Sequence, residues 1–90
     1  MTREHPDARV PLAFVPPGST MRLAEIGAGI DPVQREQLTA YGLAPDQLLQ
    51  VLQQSPMTVI LSDEVELALE HVVARQIWVE PVAPGQVDTQ

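Results

Sequence analysis

Residues 30–45 read IDPVQREQLTAYGLAP, and this stretch predicts one short helix with local signals at both ends. Asp31 is a typical N-cap residue, and Pro32 suits the first helical position because its missing N–H needs no partner there. Gln34 follows Asp31 at the spacing of a capping box, in which each side chain bonds the other's backbone N–H. The sequence therefore predicts that the helix begins at Pro32.

The same stretch also predicts where the helix ends. Gly42 stands where helices commonly place a left-handed residue. Leu38 and Leu43 then occupy the two positions whose contact closes a Schellman motif, and Pro45 prevents further helix. A helix of about ten residues is too short to be stable alone in water, so we expect it to pack on the rest of the chain.

Apolar segments on both sides of this helix predict strands. In residues 65–70, VELALE, large apolar side chains alternate with glutamates and an alanine, which is typical of a half-buried strand. The predicted strands are residues 20–26, 47–54, 57–61, 65–70 and 77–80. Five short strands and one helix in about sixty residues predict a mainly β fold, a small and strongly bent antiparallel barrel.

The chain has 90 residues, which is the size of one domain. Its polar, proline-containing ends predict flexible tails at residues 1–10 and 82–90 around a folded domain at residues 11–81. There is no cysteine, which excludes disulfides and thiolate metal ligands. The first residues lack the apolar region of a signal peptide, and no apolar run is long enough to span a membrane. We therefore expect a cytoplasmic protein without direct membrane insertion.

The charge pattern argues against nucleic acid as a partner. The formal net charge is −7, and the basic residues are five scattered arginines with no lysine. Nucleic acid and anionic lipid are usually bound by a clustered basic patch, so we predict neither as a partner. The arginines are Arg3, Arg9, Arg22, Arg35 and Arg75.

Residues 63–71 contain four acidic side chains and His71, a composition that could suggest a metal site. Hard cations need convergent oxygens, and transition metals usually need two or more imidazoles or carboxylates at suitable spacing. The other histidine, His5, lies in the predicted tail. We therefore predict no metal site, and interpret these acids as a charged outer strand face that opposes edge-to-edge aggregation.

Catalytic and cofactor motifs are also absent from the sequence. The turn Gly27-Ala28-Gly29 precedes the helix, but a phosphate-binding loop would need a lysine and a hydroxyl residue at the helix start. The chain has no cysteine nucleophile and no serine, histidine and acid grouping at a recognisable spacing. We predict a protein that is not an enzyme, with no catalytic residue and no cofactor.

Several segments together resemble the FeoA family, the small cytosolic proteins of bacterial ferrous-iron uptake that have an SH3-like barrel. The matching segments are residues 11–14 and 16–18 as a lead-in, 22–26 as the first strand, 38–45 at the helix end, and 67–69, Ala74 and 77–80 at the close. The sequence departs from the family pattern at Asp46, where a glycine usually follows Pro45, and at Glu70, where an arginine is common. The departures concern a turn and the partner surface rather than the fold.

The resemblance implies a non-enzymatic accessory or regulatory protein of ferrous-iron uptake. Its implied partner is the cytosolic part of the FeoB-type permease, at or near the nucleotide-binding domain. We predict that Val33, Leu38 and Tyr41 on the helix face the barrel. The predicted partner-binding residues are Arg35, Leu38 and Thr39.

Two other functions are compatible with the sequence. One is a small-ligand or metal-sensing module similar to the C-terminal barrel of diphtheria-toxin-repressor-type regulators, although this chain has no winged-helix DNA-binding portion. The other is an oligomeric scaffold, and the sequence leaves open a weak homo-oligomer. The sequence is compatible with a protein that activates, inhibits or assembles the transporter.

Overall fold

Alternating apolar residues form six antiparallel strands in the computed structural model, which describes residues 9–82. The strands are β1 (Val10–Pro11), β2 (Thr20–Ile26), β3 (Leu48–Gln53), β4 (Thr58–Ser62), β5 (Val65–Leu69) and β6 (Ile77–Pro81). The helices are α1 (Pro32–Ala40) and the one-turn α2 (His71–Ala74), and a 3₁₀ turn covers Leu12–Phe14. All six strands lie in one sheet in the order β1-β6-β2-β3-β4-β5.

The buried face of this sheet holds the core. Alternate residues of the longer strands are buried, as Met21 and Leu23 are on β2. The pairing register shifts in β2 after Leu23 and in β3 after Val51. Such bulges bend and twist strands, which lets a small sheet curl around its own apolar side chains. The mainly β, antiparallel class predicted from the sequence is confirmed.

Two short elements add to the predicted set. Val10 pairs with Val79 and Pro11 with Trp78, and these two-residue pairings make β1. Neither β1 nor the four-residue α2 is long enough to produce a periodic sequence pattern. Most of the two predicted tails, residues 1–8 and 83–90, lies outside the described residues. Val10 belongs to the folded domain instead, because its apolar side chain packs against the core.

The start of α1 follows the sequence prediction only in part. Asp31 is the N-cap residue and Pro32 the first helical residue, as expected. However, the Asp31 side chain makes no capping hydrogen bond, so the predicted capping box is wrong. The start of the helix therefore depends on backbone geometry and on the fixed φ of Pro32 rather than on a side-chain cap.

The end of α1 is the predicted Schellman motif. The N–H of Leu43 donates to the Leu38 carbonyl at 3.1 Å, and the N–H of Gly42 donates to the Thr39 carbonyl at 2.9 Å. Gly42 has a φ of 101°, and both leucines are buried. Just beyond, Asp46 has a φ of 74°, so an aspartate takes a left-handed conformation at this turn.

The packing face of α1 differs from the sequence prediction. Leu38 is buried, but Val33 is 62% exposed and Tyr41 57% exposed. Val33 precedes Leu38 by five residues, which places the two side chains about 140° apart around the helix. They therefore cannot both face the barrel, and Tyr41 stands at the C-cap, where the chain leaves the helix.

A strained two-residue turn joins β4 to β5. Ser62 pairs with Val65, and the intervening Asp63 and Glu64 have φ angles of 53° and 75°. Two central residues with positive φ are the pattern of a type I′ hairpin turn, which favours Asn-Gly. Asp63 and Glu64 therefore form a turn, whereas the sequence predicts them in an acidic strand face. Glutamate is poorly suited to the second position of this turn.

The double variant Asp63→Asn, Glu64→Gly should raise the free energy of unfolding by about 1 kcal/mol. Left-handed strain of about 1–2 kcal/mol is relieved, and the added freedom of glycine in the unfolded chain offsets only about 0.4–1 kcal/mol of it. Urea unfolding of both proteins measures the difference. Asp63→Asn, Glu64→Gln controls for the loss of the same two negative charges without adding glycine, and a gain no larger than this control's would contradict the strain explanation.

Candidate functional site

A groove of about 370 Å³ lies between the end of β2, one side of α1 and the turn that follows α1. Its volume is near the lower limit of typical ligand pockets. Three lining residues are polar: Glu25 on β2, and Arg35 and Thr39 on α1. The others, here called the apolar lining, are Ala24, Ile26, Leu43, Ala44 and Pro45.

Arg35 is fixed in position at one wall of this groove. Its Nη1 donates to the carbonyl of Ile26 at 3.0 Å, and its Nη2 donates to the carbonyl of Gly27 at 2.6 Å. These two carbonyls lie at the end of β2, so the half-buried guanidinium joins the helix to the strand. Charge-assisted bonds of this kind are stronger than neutral ones, so they restrict the side chain to one orientation.

Glu25 at the groove is paired with Arg9. Arg9 Nη1 lies 3.0 Å from Glu25 Oε1, and the two side chains are 43% and 53% exposed. An exposed pair of this kind contributes at most about 1 kcal/mol. Arg35 has no carboxylate partner among residues 9–82, where its guanidinium bonds only to backbone carbonyls. Glu25, the carboxylate in the same groove, is paired with Arg9 instead.

The other two predicted partner-binding residues have different positions. Thr39 is exposed in the groove, and its hydroxyl donates to the carbonyl of Arg35 at 3.0 Å within the helix. Leu38 is only 4% exposed and belongs to the core. Leu38 therefore has little side-chain surface to offer a partner, and its side chain closes the Schellman motif instead.

An apolar surface that the sequence reading missed lies on the solvent side of α1. Val33, Gln37 and Tyr41 recur every four residues, and Glu36 and Ala40 lie between them. All five are exposed, and we call them the outer face of α1. Val33, Ala40 and the C-cap residue Tyr41 are the apolar members of this face, and Glu36 and Gln37 are its polar members.

A hydrogen-bond network around Gln54 was also missed. Its Nε2 donates to the carbonyls of Leu12 at 2.9 Å and Val15 at 2.7 Å, and its Oε1 accepts from the Thr58 hydroxyl at 2.6 Å. The Gln54 backbone carbonyl is bonded to Nε2 of His71. No local sequence signal indicates this role, since Leu12 lies 42 residues from Gln54.

The acidic residues near His71 do not converge. Within residues 9–82, no group of three or more histidine, cysteine or acidic side chains is arranged to hold a metal ion. Asp63 and Glu64 lie in the β4–β5 turn, while Glu66 and Glu70 are exposed. None of the helices in the described part of the chain is long and apolar enough to cross a membrane.

A small, curled antiparallel sheet of six strands with two short helices among residues 9–82 has the architecture of an SH3-like barrel domain. A family model of the FeoA domain matches residues 10–81, and the chain belongs to this family. The resemblance seen in the sequence is therefore confirmed. The FeoA family is linked to iron transport, and its members are small accessory domains that are not known as enzymes. No curated protein matches the chain significantly.

Solved structures agree with this assignment. The crystal structure of an iron uptake regulatory protein, FeoA, is 28% identical, has a TM-score of 0.70, and the match covers 80% of this chain and 95% of that one. The solution structure of the FeoA protein from Chlorobium tepidum is 21% identical with a TM-score of 0.75, over 90% and 80% of the two chains. The latter identity supports the fold alone.

A second group of similar structures consists of metal-dependent repressors. A manganese-dependent transcriptional repressor is 24% identical with a TM-score of 0.76, over 89% of this chain. This chain spans only 44% of that repressor. The similarity therefore concerns the fold of one repressor domain.

Proposed function

We propose that this protein is a non-enzymatic accessory protein of bacterial ferrous-iron uptake that docks reversibly on the cytosolic part of a FeoB-type permease. The observation that carries the proposal is the FeoA-domain match over residues 10–81. The location that fits this role is the cytoplasm. Docking, rather than catalysis, is the activity for which the described surface is suited.

The proposed docking surface is the outer face of α1 together with the adjacent groove. Val33 and Tyr41 are 62% and 57% exposed, although their apolar side chains would gain free energy by being covered. Thr39 lines the neighbouring groove and stands three residues after Glu36 of the outer face, so the two parts of the surface adjoin each other through these polar side chains. This combination of an apolar centre and polar surroundings is typical of protein interfaces.

The β5 strand offers a second contribution to docking. It lies at one end of the sheet order, and Glu64, Glu66 and Glu70 at or beside it are exposed. A basic patch on the permease would be attracted to this strand, mainly through a faster association rate. Binding should therefore weaken as the salt concentration rises.

The test is a calorimetric titration of the protein against the soluble cytosolic domain of its cognate permease, with GTP, with GDP and without nucleotide. A reversible complex of micromolar affinity, roughly −8 kcal/mol, is expected for a small regulatory interface. Val33→Glu should weaken binding by about tenfold, because it places a charge in the apolar centre. Val72→Glu is the matched control, since Val72 is a similarly exposed valine on α2.

The outcomes separate the partner from the surface. Failure of the unmodified protein to bind in every nucleotide state would remove the permease as partner. Equal weakening, or none, by Val33→Glu and Val72→Glu would keep the partner and move the docking surface away from α1.

The metal-sensing alternative has one supporting observation, the fold shared with metal-dependent repressors. We still expect no tight stoichiometric binding of ferrous iron or zinc, because the chain has no cysteine and His71 is bonded to the Gln54 carbonyl. Calorimetric titration with each metal checks this. A one-site dissociation constant in the micromolar range or below would favour the sensor.

A further inference from the structure

We propose that the groove between β2 and α1 receives an acidic side chain of the partner protein, bound by the guanidinium of Arg35 and flanked by apolar contacts. The inference rests on the proposed docking function and specifies the chemistry that the partner must present. The expected occupant is a chain segment in which a glutamate or aspartate stands beside apolar residues.

The first argument is that Arg35 is already positioned for a carboxylate. A guanidinium has five N–H donors, and the bonds to the Ile26 and Gly27 carbonyls use two of them, which leaves three. The two bonds also restrict the orientation of the side chain before any partner arrives. Arginine donors in a fixed planar fork match the geometry of a carboxylate.

The second argument is that the positive charge of Arg35 is not neutralised by the described protein. Among residues 9–82 it bonds only to neutral carbonyls, and the nearby carboxylate of Glu25 is paired with Arg9. The rest of the groove, apart from Thr39 and Glu25, is the apolar lining. Because apolar surroundings strengthen ionic hydrogen bonds, a carboxylate in this groove would bind more tightly than one on an open surface.

The third argument concerns which anion fits. The groove contains one cation that lacks a counter-charge, and Glu25 lies at the same site, so a doubly charged phosphate would be repelled more than a carboxylate. The apolar lining would contact the aliphatic part of a glutamate and the apolar residues beside it. A protein segment offers both features.

The test is an NMR titration of the ¹⁵N-labelled full chain with two synthetic pentapeptides. Both are acetylated and amidated, with the sequences Ala-Leu-Glu-Leu-Ala and Ala-Leu-Gln-Leu-Ala. We expect the glutamate peptide to bind about fivefold more tightly and to shift the Arg35 Nε–H signal and the amides of the groove. Since the chain carries a net charge of −7, non-specific electrostatics favour the glutamine peptide, so a preference for glutamate must come from the local cation.

Variants identify the site. Arg35→Gln should remove the preference for glutamate, so that the two peptides bind with equal affinity. Because Arg35 also joins α1 to β2, Thr39→Tyr provides a second variant that fills the groove from an exposed position and should abolish binding of both peptides. Thr20→Tyr is the matched control, since Thr20 is an exposed threonine on β2 outside the groove, and it should change nothing.

Three results would overturn the inference. The first is equal affinity for the two peptides, and the second is chemical-shift changes confined to amides outside the groove. The third is no chemical-shift change with either peptide at about 10 mM, a concentration at which a millimolar site would be largely occupied. None of them involves the permease. A negative result here with a positive permease titration would therefore reject the groove chemistry alone, and the reverse would reject the partner alone.

Discussion

Replacing Gln54 with alanine should lower the free energy of unfolding by about 3 kcal/mol, since each of the lost hydrogen bonds has a net value near 1 kcal/mol and buried partners are left unsatisfied. The side-chain amide donates to the carbonyls of Leu12 and Val15 and accepts from Thr58. Thr58 is 0% exposed, so water cannot replace the lost acceptor without a rearrangement. For a domain of this size the melting temperature should fall by roughly 10–20 °C.

Thermal and urea unfolding followed by circular dichroism measure this effect. Gln53→Ala is the matched control, because the neighbouring glutamine is exposed and its amide makes one bond, to the Ser55 carbonyl at 3.2 Å. That change should cost less than about 0.5 kcal/mol. If the two alanine variants were equally stable, the Gln54 network would not be a significant source of stability.

The Gln54 network also shows where sequence reasoning stopped. The ends of α1 could be predicted because the signals at Asp31, Pro32 and Gly42 act within a few residues. The strands could be predicted because their alternation is local too. Gln54 reads as a polar residue before a turn, since its partners lie 42 and 39 residues away and leave no mark on the sequence around it.

Part of the candidate site can also be predicted from the sequence, because the spacing of residues along a helix is a local signal. Arg35 and Thr39 were placed on one side of the helix by its period, and both line the groove. The sequence predicts Leu38 both towards the barrel and at the partner surface, and Val33 towards the barrel, because the helical period alone does not say which side of a weakly amphipathic helix is buried. That choice depends on tertiary contacts, such as the burial of Leu38 in the core and the bonds from Arg35 to the end of β2.

The second large effect is expected at Gly42, where valine should cost about 1–2 kcal/mol because a β-branched residue at positive φ is strongly disfavoured. Gly42 has a φ of 101°, and a Cβ built there would have nothing within 4 Å. The Cβ of a substituted residue therefore meets no other residue, and we attribute the expected cost to backbone strain. Valine also reduces the conformational entropy of the unfolded chain, which offsets only about 0.4–1 kcal/mol of the strain.

Equilibrium unfolding of two variants separates strain from other causes. Gly42→Asn should cost less than Gly42→Val, because asparagine tolerates the left-handed region better than other side chains do. Ala40→Val introduces the same β-branched side chain at an exposed position in the last turn of α1, and should cost only about 0.5 kcal/mol in helix propensity. Gly42→Val costing no more than Ala40→Val would mean that α1 can end without a left-handed residue. The contact between Leu38 and Leu43 would then have to hold the helix end by itself.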